Sequence, residues 1–110
     1  MIVYYSGTGN SRYVAEAIAH HTDDKMVDAT SYIRQGEHPK LTSSRPWVFV
    51  APIYAWRLPH IFKEWIEHSR FIGNPKAYFV LTCGSDIGNA ARYLKKLCKQ
   101  VNFEFSLEVF

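Results

Sequence analysis

The hydrophobic pattern of the chain predicts short strands that alternate with helices. Residues 2–5 form a short apolar run that favours a strand, and residues 26–29 form a weaker one. Continuous apolar runs at residues 46–51 and 77–81 are typical of strands covered on both faces. Across residues 103–109, apolar positions alternate strictly with polar ones, which predicts a last strand with one dry face and one wet face. The pattern therefore predicts five strands.

Helical periodicity fills most of the segments between these strands. Apolar positions recur at helical spacing in three segments: Val14, Ala17, Ile18 and His21 in the first, Ile61, Phe62, Trp65 and Ile66 in the second, and Ala90, Ala91, Leu94, Leu97, Cys98 and Val101 in the third. Asn10 or Ser11 is the expected N-cap of the first helix, and Pro59 is the expected first residue of the second. Residues 30–46 are rich in Ser, Thr, Gly and Pro and leave room for only a turn or two of helix around Tyr32 and Ile33.

Strands separated by helices form β-α-β units, whose right-handed crossovers require a parallel sheet. The predicted fold class is therefore α/β. A length of 110 residues allows one domain, and 47% hydrophobic with 21% charged residues excludes intrinsic disorder. We expect a single domain over residues 1–110.

Charge, cysteine content and apolar runs narrow the setting of this domain. A formal charge of +3 is too small to indicate a nucleic-acid-binding protein. Cys83 and Cys98 form no C-x-x-C pair, so they predict neither a disulfide framework nor a metal site. No secretory signal is recognisable, and the longest apolar run, residues 47–56, is shorter than the ~18 residues of a membrane span. We expect a cytoplasmic protein with no bound metal, nucleic acid or membrane.

A polar segment with two glycines lies between the first predicted strand and the first predicted helix. It reads Ser6-Gly7-Thr8-Gly9-Asn10-Ser11. Ligands of open α/β sheets bind beyond the carboxyl ends of the strands, where this segment is expected to lie. The glycines allow close backbone approach, the hydroxyls offer hydrogen bonds, and the start of the helix adds free N–H groups and about half a positive charge. The segment predicts a phosphate site that needs no lysine.

Two common phosphate loops do not fit this segment. A dinucleotide-binding G-x-G-x-x-G loop needs glycine at position 12, where the chain has Arg12, and a Walker loop needs a Gly-Lys-Ser/Thr triplet that the chain lacks. An ordinary turn, in which the glycines and hydroxyls only cap the helix, stays open as an alternative.

Two further loops are expected at the same edge of the sheet. The loop after the third predicted strand, residues 52–59, contains Tyr54 and Trp56, which either stack on a flat ligand or pack in the core. The loop after the fourth, residues 82–89, is small and polar and suits the polar edge of a ring. Three loops at one edge predict a single ligand site.

These three segments resemble the flavodoxin family. Ser6-x-Thr8-Gly9-x-Ser11 is similar to the T/S-x-T-G-x-T/S phosphate loop of that family, residues 52–59 to its first flavin loop, and Thr82-Cys83-Gly84 to its second. The sequence looks most like the flavodoxin-like domain that many anaerobic bacteria fuse to a ferredoxin with two 4Fe–4S clusters. The resemblance covers nearly the whole chain and implies an open, parallel, five-stranded sheet in the order 2-1-3-4-5.

The resemblance also implies non-covalent binding of FMN, with no catalytic residue of the chain's own. By motif, the phosphate is held by Ser6, Thr8, Asn10 and Ser11 with the N–H groups of Gly7, Gly9 and Arg12. The isoalloxazine ring is lined by Pro52, Ile53, Tyr54, Ala55 and Trp56, and its pyrimidine edge is met by Thr82, Cys83, Gly84 and Ser85. The implied function is electron transfer with a redox partner protein. A flavin or quinone reductase, and a binding module that has lost FMN, remain alternatives, so whether the chain is an enzyme stays open.

The chain departs from the flavodoxin pattern in length and in charge. Flavodoxins end with a helix after the fifth strand, whereas this chain stops at Phe110, so we expect either a longer natural chain or a homodimer through the uncovered sheet face. Electron-carrier flavodoxins are usually acidic. Here Arg92, Lys95, Lys96 and Lys99 form a basic stripe on the last predicted helix, which is either a solvated face or a docking patch for an acidic ferredoxin.

Overall fold

A five-stranded parallel sheet with helices on both faces forms the centre of the computed structural model. The structure describes residues 1–6, 9–52, 58–82, 90–101 and 103–109, with the backbone alone for Ala90 and for residues 105–109. In chain order the elements are β1 (Ile2–Tyr4), α1 (Asn10–Thr22), β2 (Met26–Asp28), α2 (Ala29–Arg34), β3 (Lys40–Ser43), β4 (Trp47–Pro52), α3 (His60–His68), β5 (Arg70–Gly73), β6 (Lys76–Thr82), α4 (Ala90–Gln100) and β7 (Glu104–Val109).

The order of the central sheet is β2-β1-β4-β6-β7, and every neighbouring pair is parallel. This confirms the predicted α/β class and the predicted order, because these five strands correspond in sequence to the five that the apolar pattern predicts. The short helix expected around Tyr32 and Ile33 is α2. Within the part of the chain that the structure describes, no helix is long and apolar enough to cross a membrane.

A second, two-stranded sheet was not predicted. It pairs β3 with β5 in parallel. Lys40 and Thr42 are exposed and only Leu41 and Phe71 pack against the core, so the apolar signal of these strands is weak. At the end of the pairing Gly73 has a φ of 116°, and a Cβ there would overlap the Ser43 carbonyl. Glycine therefore allows the two short strands to close.

The core lies in two layers, one on each face of the sheet. On one face α2, α3 and α4 cover an aromatic cluster in which Phe49 stacks on Phe79 with ring centroids 5.2 Å apart. Trp47 and Trp65 are buried here, and their indole N–H groups donate to backbone carbonyls at 3.0 Å. Cys98 belongs to this layer as predicted, and burial raises the pKa of its thiol to about 12, so it stays neutral.

The other face is covered by α1, and here two details of the sequence prediction are wrong. The N-cap of α1 is Gly9 rather than Asn10 or Ser11, because both lie inside the helix. The buried face is formed by Ser11, Ala15 and Ala19, while the predicted Ala17 and His21 are exposed. Small side chains let α1 lie close to the sheet, and a search for large apolar residues overlooks such a face.

In α3 the predicted face holds for Phe62, Trp65 and Ile66, but Ile61 is 49% exposed. Pro59 is the N-cap rather than the first helical residue, a difference within the usual uncertainty of helix ends. Of the dry face predicted for the last strand, Phe103 packs against the core, and the other side chains lie outside the described residues.

The uncovered sheet face expected from the sequence is smaller than predicted. On the α1 side Val50 and Val80 are buried, in one cluster with Ala15 and Ala19. Their neighbours Val48 and Tyr78 pair in register and are half-buried, and they line a groove of about 340 Å³. Among the side chains that the structure describes, the uncovered apolar patch is therefore confined to the amino-terminal half of β4 and β6.

Candidate functional site

The carboxyl ends of β1, β4 and β6 meet at one edge of the sheet. Tyr4 of β1 pairs with Val50, and two residues further along β4, Pro52 pairs with Thr82. The Tyr5 N–H extends β1 by donating to the Val50 carbonyl at 2.9 Å. This geometry places Ser6, Pro52 and Thr82, each predicted from a different loop, at the same edge.

Ser6 fixes the loop that leaves β1. Its hydroxyl accepts a 2.8 Å hydrogen bond from the Gly9 N–H, so the loop is closed on itself. Its own N–H donates to the Thr30 hydroxyl of α2 at 3.2 Å. The loop is therefore held both by a hydrogen bond of its own and by a neighbouring helix. A loop that binds a ligand through its N–H groups needs such support, because the groups must stay in position.

Gly9 begins α1 in a conformation that suits glycine. Its φ is 96° and its ψ is −16°, and its carbonyl accepts from the Tyr13 N–H at 3.0 Å. A Cβ built on Gly9 would meet no atom of the described residues within 4 Å, so the space beside the helix start is open. The first turn of α1 has no acidic residue, and the N–H groups of that turn can bind an anion.

Ser11 and Thr82 link the first loop to the end of β6. Ser11 is 2% exposed, and its hydroxyl oxygen lies 3.0 Å from that of Thr82. One hydroxyl proton is used between the two oxygens, which leaves the other O–H free to donate to a third group. The pair can thus hold the two loops together and still offer one donor to a ligand.

The described residues give this edge a charge close to neutral. Arg12, the cation nearest to Gly9 in the sequence, is exposed and its Nε lies 3.1 Å from Glu16 Oε1, so the guanidinium points along α1 to an ion pair of small energy. Tyr4 is buried beneath the loop, and burial, with the Asp28 carboxylate as a second cause, raises the pKa of its phenol. Hydroxyls and backbone N–H groups therefore carry the binding potential of this edge.

The sequence prediction missed Thr30 and Asp28. Asp28 caps α2, because its carboxylate accepts from the N–H of Thr30 at 2.9 Å and of Ser31 at 3.4 Å. The cap holds the start of α2 where the Thr30 hydroxyl meets Ser6. An aspartate at the end of a short strand and before a possible helix is the sequence signal that could have located this cap.

The model of the flavodoxin domain family matches residues 1–108. The chain belongs to the flavodoxin domain family. Solved structures agree on the fold of this flavodoxin domain. A protein from Bacteroides uniformis, provisionally assigned as a flavoprotein, has a TM-score of 0.66 at 20% identity over 99% of this chain and 87% of its own.

Two more solved structures share the fold. A provisionally assigned flavoprotein from Bacteroides eggerthii has a TM-score of 0.65 at 15% identity over 99% of this chain and 86% of its own. A flavodoxin, WrbA-like protein from Agrobacterium tumefaciens has a TM-score of 0.58 at 15% identity over 97% and 81%. No protein of curated function matches this chain significantly.

The predicted site residues of this flavodoxin domain divide into two groups. Seven lie in the described structure, all at the carboxyl edge of the sheet: Ser6, Gly9, Asn10, Ser11, Arg12 through its backbone N–H, Pro52 and Thr82. The others fall outside the described residues: Gly7, Thr8, Ile53, Tyr54, Ala55, Trp56, Cys83, Gly84 and Ser85. For the second group the prediction from the sequence stands as it was made.

Proposed function

We propose that this flavodoxin domain binds FMN and transfers electrons to or from a redox partner protein. The observation that carries the proposal is the start of α1: a glycine with positive φ, open space beside it, and a first turn without acidic residues at the edge where β4 and β6 end. A phosphate dianion fits such a place, because the helix dipole and unpaired N–H groups compensate its charge without a lysine. The family match and the solved flavoproteins support a flavin rather than another phosphate ester.

The described residues fit the phosphate end of FMN. Ser6 keeps the loop closed, Gly9 leaves the space open, and Asn10 and Ser11 stand in the first turn of α1. Thr82, hydrogen-bonded to Ser11, begins the segment that by resemblance meets the ring. FMN, when bound, supplies the redox chemistry, while the chain binds it, orients it and limits its access to water.

FMN binding is tested by titrating the purified chain with FMN and with riboflavin, following flavin fluorescence and absorbance. Because the phosphate supplies much of the binding in this proposal, riboflavin is expected to bind at least about tenfold more weakly than FMN. Equal affinity for the two flavins would refute the phosphate site, and no binding of either by the folded chain would favour a binding module that has lost FMN.

Electron transfer needs its own measurement. The FMN-loaded chain is expected to exchange electrons with a second redox protein and to leave NADH and NADPH unconsumed when alone. Steady oxidation of either nucleotide by the loaded chain alone would show a reductase instead.

A further inference from the structure

A groove of about 250 Å³ runs between α3 and α4, on the face of the sheet opposite α1. Leu58, Leu94 and Leu97 form its apolar floor, and Lys63, Tyr93 and Lys96 stand at its rim. We call this surface the α3–α4 groove. It is separate from the start of α1, and neither the family match nor the fold comparison assigns it a role.

The positive charge of the whole chain is concentrated in α4, the helix that forms one side of this groove and contributes Lys96 to its rim. The chain has 13 Lys and Arg and 10 Asp and Glu, and α4 contains four of the cations and no acid, so the remainder has nine against ten. The four cations are Arg92, Lys95, Lys96 and Lys99, and all are exposed. Among the described residues, no ion pair involves any of them.

The α3 side of the groove contributes one cation, Lys63, to its rim. Lys63 is 45% exposed and its Nζ lies 4.0 Å from Glu67, a loose pair that leaves the ammonium accessible. His60, at the start of α3, also lines the groove, and its Nε2 lies 3.6 Å from Glu64. The two acids of α3, Glu64 and Glu67, outnumber its single lysine, so the net positive charge near the groove comes from α4, which has no acid.

The size and shape of the groove exclude several occupants. Its volume is below the range of about 300–1,000 Å³ that is typical of small-molecule sites. Leu94 and Leu97 are each 2% exposed and lie at the bottom of the groove, so α4 has no protruding apolar face to insert into a membrane. Because the positive charge is limited to one helix on a chain whose remainder is slightly acidic, it lacks the extended footprint of a nucleic-acid surface. An acidic protein surface with one protruding apolar side chain matches both features.

We propose that the α3–α4 groove is a docking site for the acidic surface of a partner protein, which places an apolar side chain over Leu58, Leu94 and Leu97. In the sequence, Leu58 directly follows residues 53–57, which resemble the first flavin loop of the flavodoxin family. The partner is the redox protein that the proposed function requires, and to that extent this inference rests on it.

The test is the affinity of the chain for a small acidic ferredoxin as probe, measured by calorimetry at low salt and again at physiological salt. Reversing one charge on each side of the groove, Lys63→Glu with Lys96→Glu, is expected to weaken binding at least about tenfold. The matched control is Lys40→Glu with Lys76→Glu, which changes the net charge equally at exposed positions of β3 and β6. The control is expected to keep the affinity within about twofold, and binding by the unaltered chain is expected to weaken with salt.

Several outcomes would overturn the proposal. One is that the ferredoxin does not bind at low salt, and another is that the two double variants weaken its binding equally. A third is that a duplex DNA probe binds more tightly than the ferredoxin. Amide shifts in an NMR titration must also be confined to the start of α3 and to α4. Since binding is measured with and without FMN, a chain that docks but takes no flavin refutes only the proposed function, and one that takes flavin but does not dock refutes only the groove.

Discussion

Gly9 and Gly36 share a positive φ and open surroundings, but only Gly9 lies in the predicted phosphate loop. Replacing either by alanine is expected to lower the free energy of unfolding by about 1–2 kcal/mol, because a Cβ is strained in this conformation. Only Gly9→Ala is expected to raise the dissociation constant for FMN as well, by at least about tenfold. Urea unfolding and flavin titration of the two variants give the comparison, and equal FMN affinity would remove Gly9 from the site.

The hydroxyl pair of Ser11 and Thr82 is expected to couple two loops energetically. In a double-mutant cycle with Ser11→Ala and Thr82→Val, a hydrogen bond of this burial predicts a coupling of about 1 kcal/mol in the free energy of unfolding. The cycle is repeated for FMN affinity, where either single variant is expected to weaken binding. Strict additivity in both measurements would show that the two hydroxyls act independently.

The amino terminus forms a half-buried ion pair with Asp24, at 2.7 Å. Burial by itself raises the pKa of the Asp24 carboxyl, but the hydrogen bonds from the amino terminus and the Lys25 N–H, with the charges of the terminus and of Arg45, hold it below its ordinary value. A lowered pKa in the folded state means that the stabilisation is complete above the ordinary carboxyl pKa and is lost as the pH falls through the folded value.

The prediction for this pair is therefore a pH-dependent loss of stability. Asp24→Asn is expected to lower the free energy of unfolding by about 1–2 kcal/mol at neutral pH, and the difference from the unaltered chain is expected to disappear in acid. Asp23→Asn is the control, because Asp23 is exposed and has a φ of 51°, which asparagine tolerates. A difference that persists unchanged in acid would contradict the ion pair as its cause.

At the scale of elements, α2 matters through one side chain. Thr30→Val removes the acceptor of the Ser6 N–H and is expected to weaken FMN binding about threefold to tenfold while α2 keeps its Asp28 cap. Ser31→Ala, one residue further along the same exposed helix start, is expected to leave the affinity unchanged. Flavin titration of both variants decides the point, and an unaffected Thr30→Val would show that the loop needs no support from α2.

The sequence located the elements that bury large apolar side chains. The runs that became β4 and β6 are continuous because both faces of each strand are covered, and this signal survives without any structural knowledge. It fails for β3 and β5, whose exposed polar positions leave only Leu41 and Phe71 as core residues. The apolar pattern also predicts the wrong buried face for α1. Ser11, Ala15 and Ala19 are small, so they let the helix approach the sheet closely but add little apolar volume.

The site was predicted to the level of loops but not of contacts. That Ser6, Pro52 and Thr82 share an edge follows from strand order alone, which the pattern of strands and helices gives. The Ser11–Thr82 pair joins residues that are 71 positions apart in the sequence. The Ser6–Thr30 hydrogen bond depends on the position of α2, a helix of six residues, relative to β1. Contacts of this kind depend on side-chain directions at the ends of elements, which hydrophobic periodicity does not encode.

At the scale of the whole molecule, the two faces of the sheet differ in what they offer to other proteins. Lys63 and Lys96 stand at the rim of the α3–α4 groove, and α4 contains no acid that could pair with its cations. The groove of Val48 and Tyr78 on the opposite side has one acid and one base at its rim, Asp24 and Arg45. Its charged rim is internally satisfied, because Asp24 binds the amino terminus and Arg45 donates to the carbonyls of Thr22 and Asp23. A surface whose few charged groups are already hydrogen-bonded and whose floor is apolar favours a copy of itself over a charged partner.

We therefore expect the chain to self-associate weakly through Val48 and Tyr78, as a symmetric dimer visible by sedimentation at high protein concentration. Tyr78→Lys is expected to abolish this association, because the two substituted faces would place like charges opposite each other. Tyr93→Lys, which adds the same charge on the other side of the sheet, is expected to leave the dimer intact. A monomer at every concentration, or equal loss of the dimer in both variants, would show that the half-buried surface of Val48 and Tyr78 is not an interface. A dimer interface is weakened by a charge placed on it and keeps its affinity when the same charge is placed elsewhere.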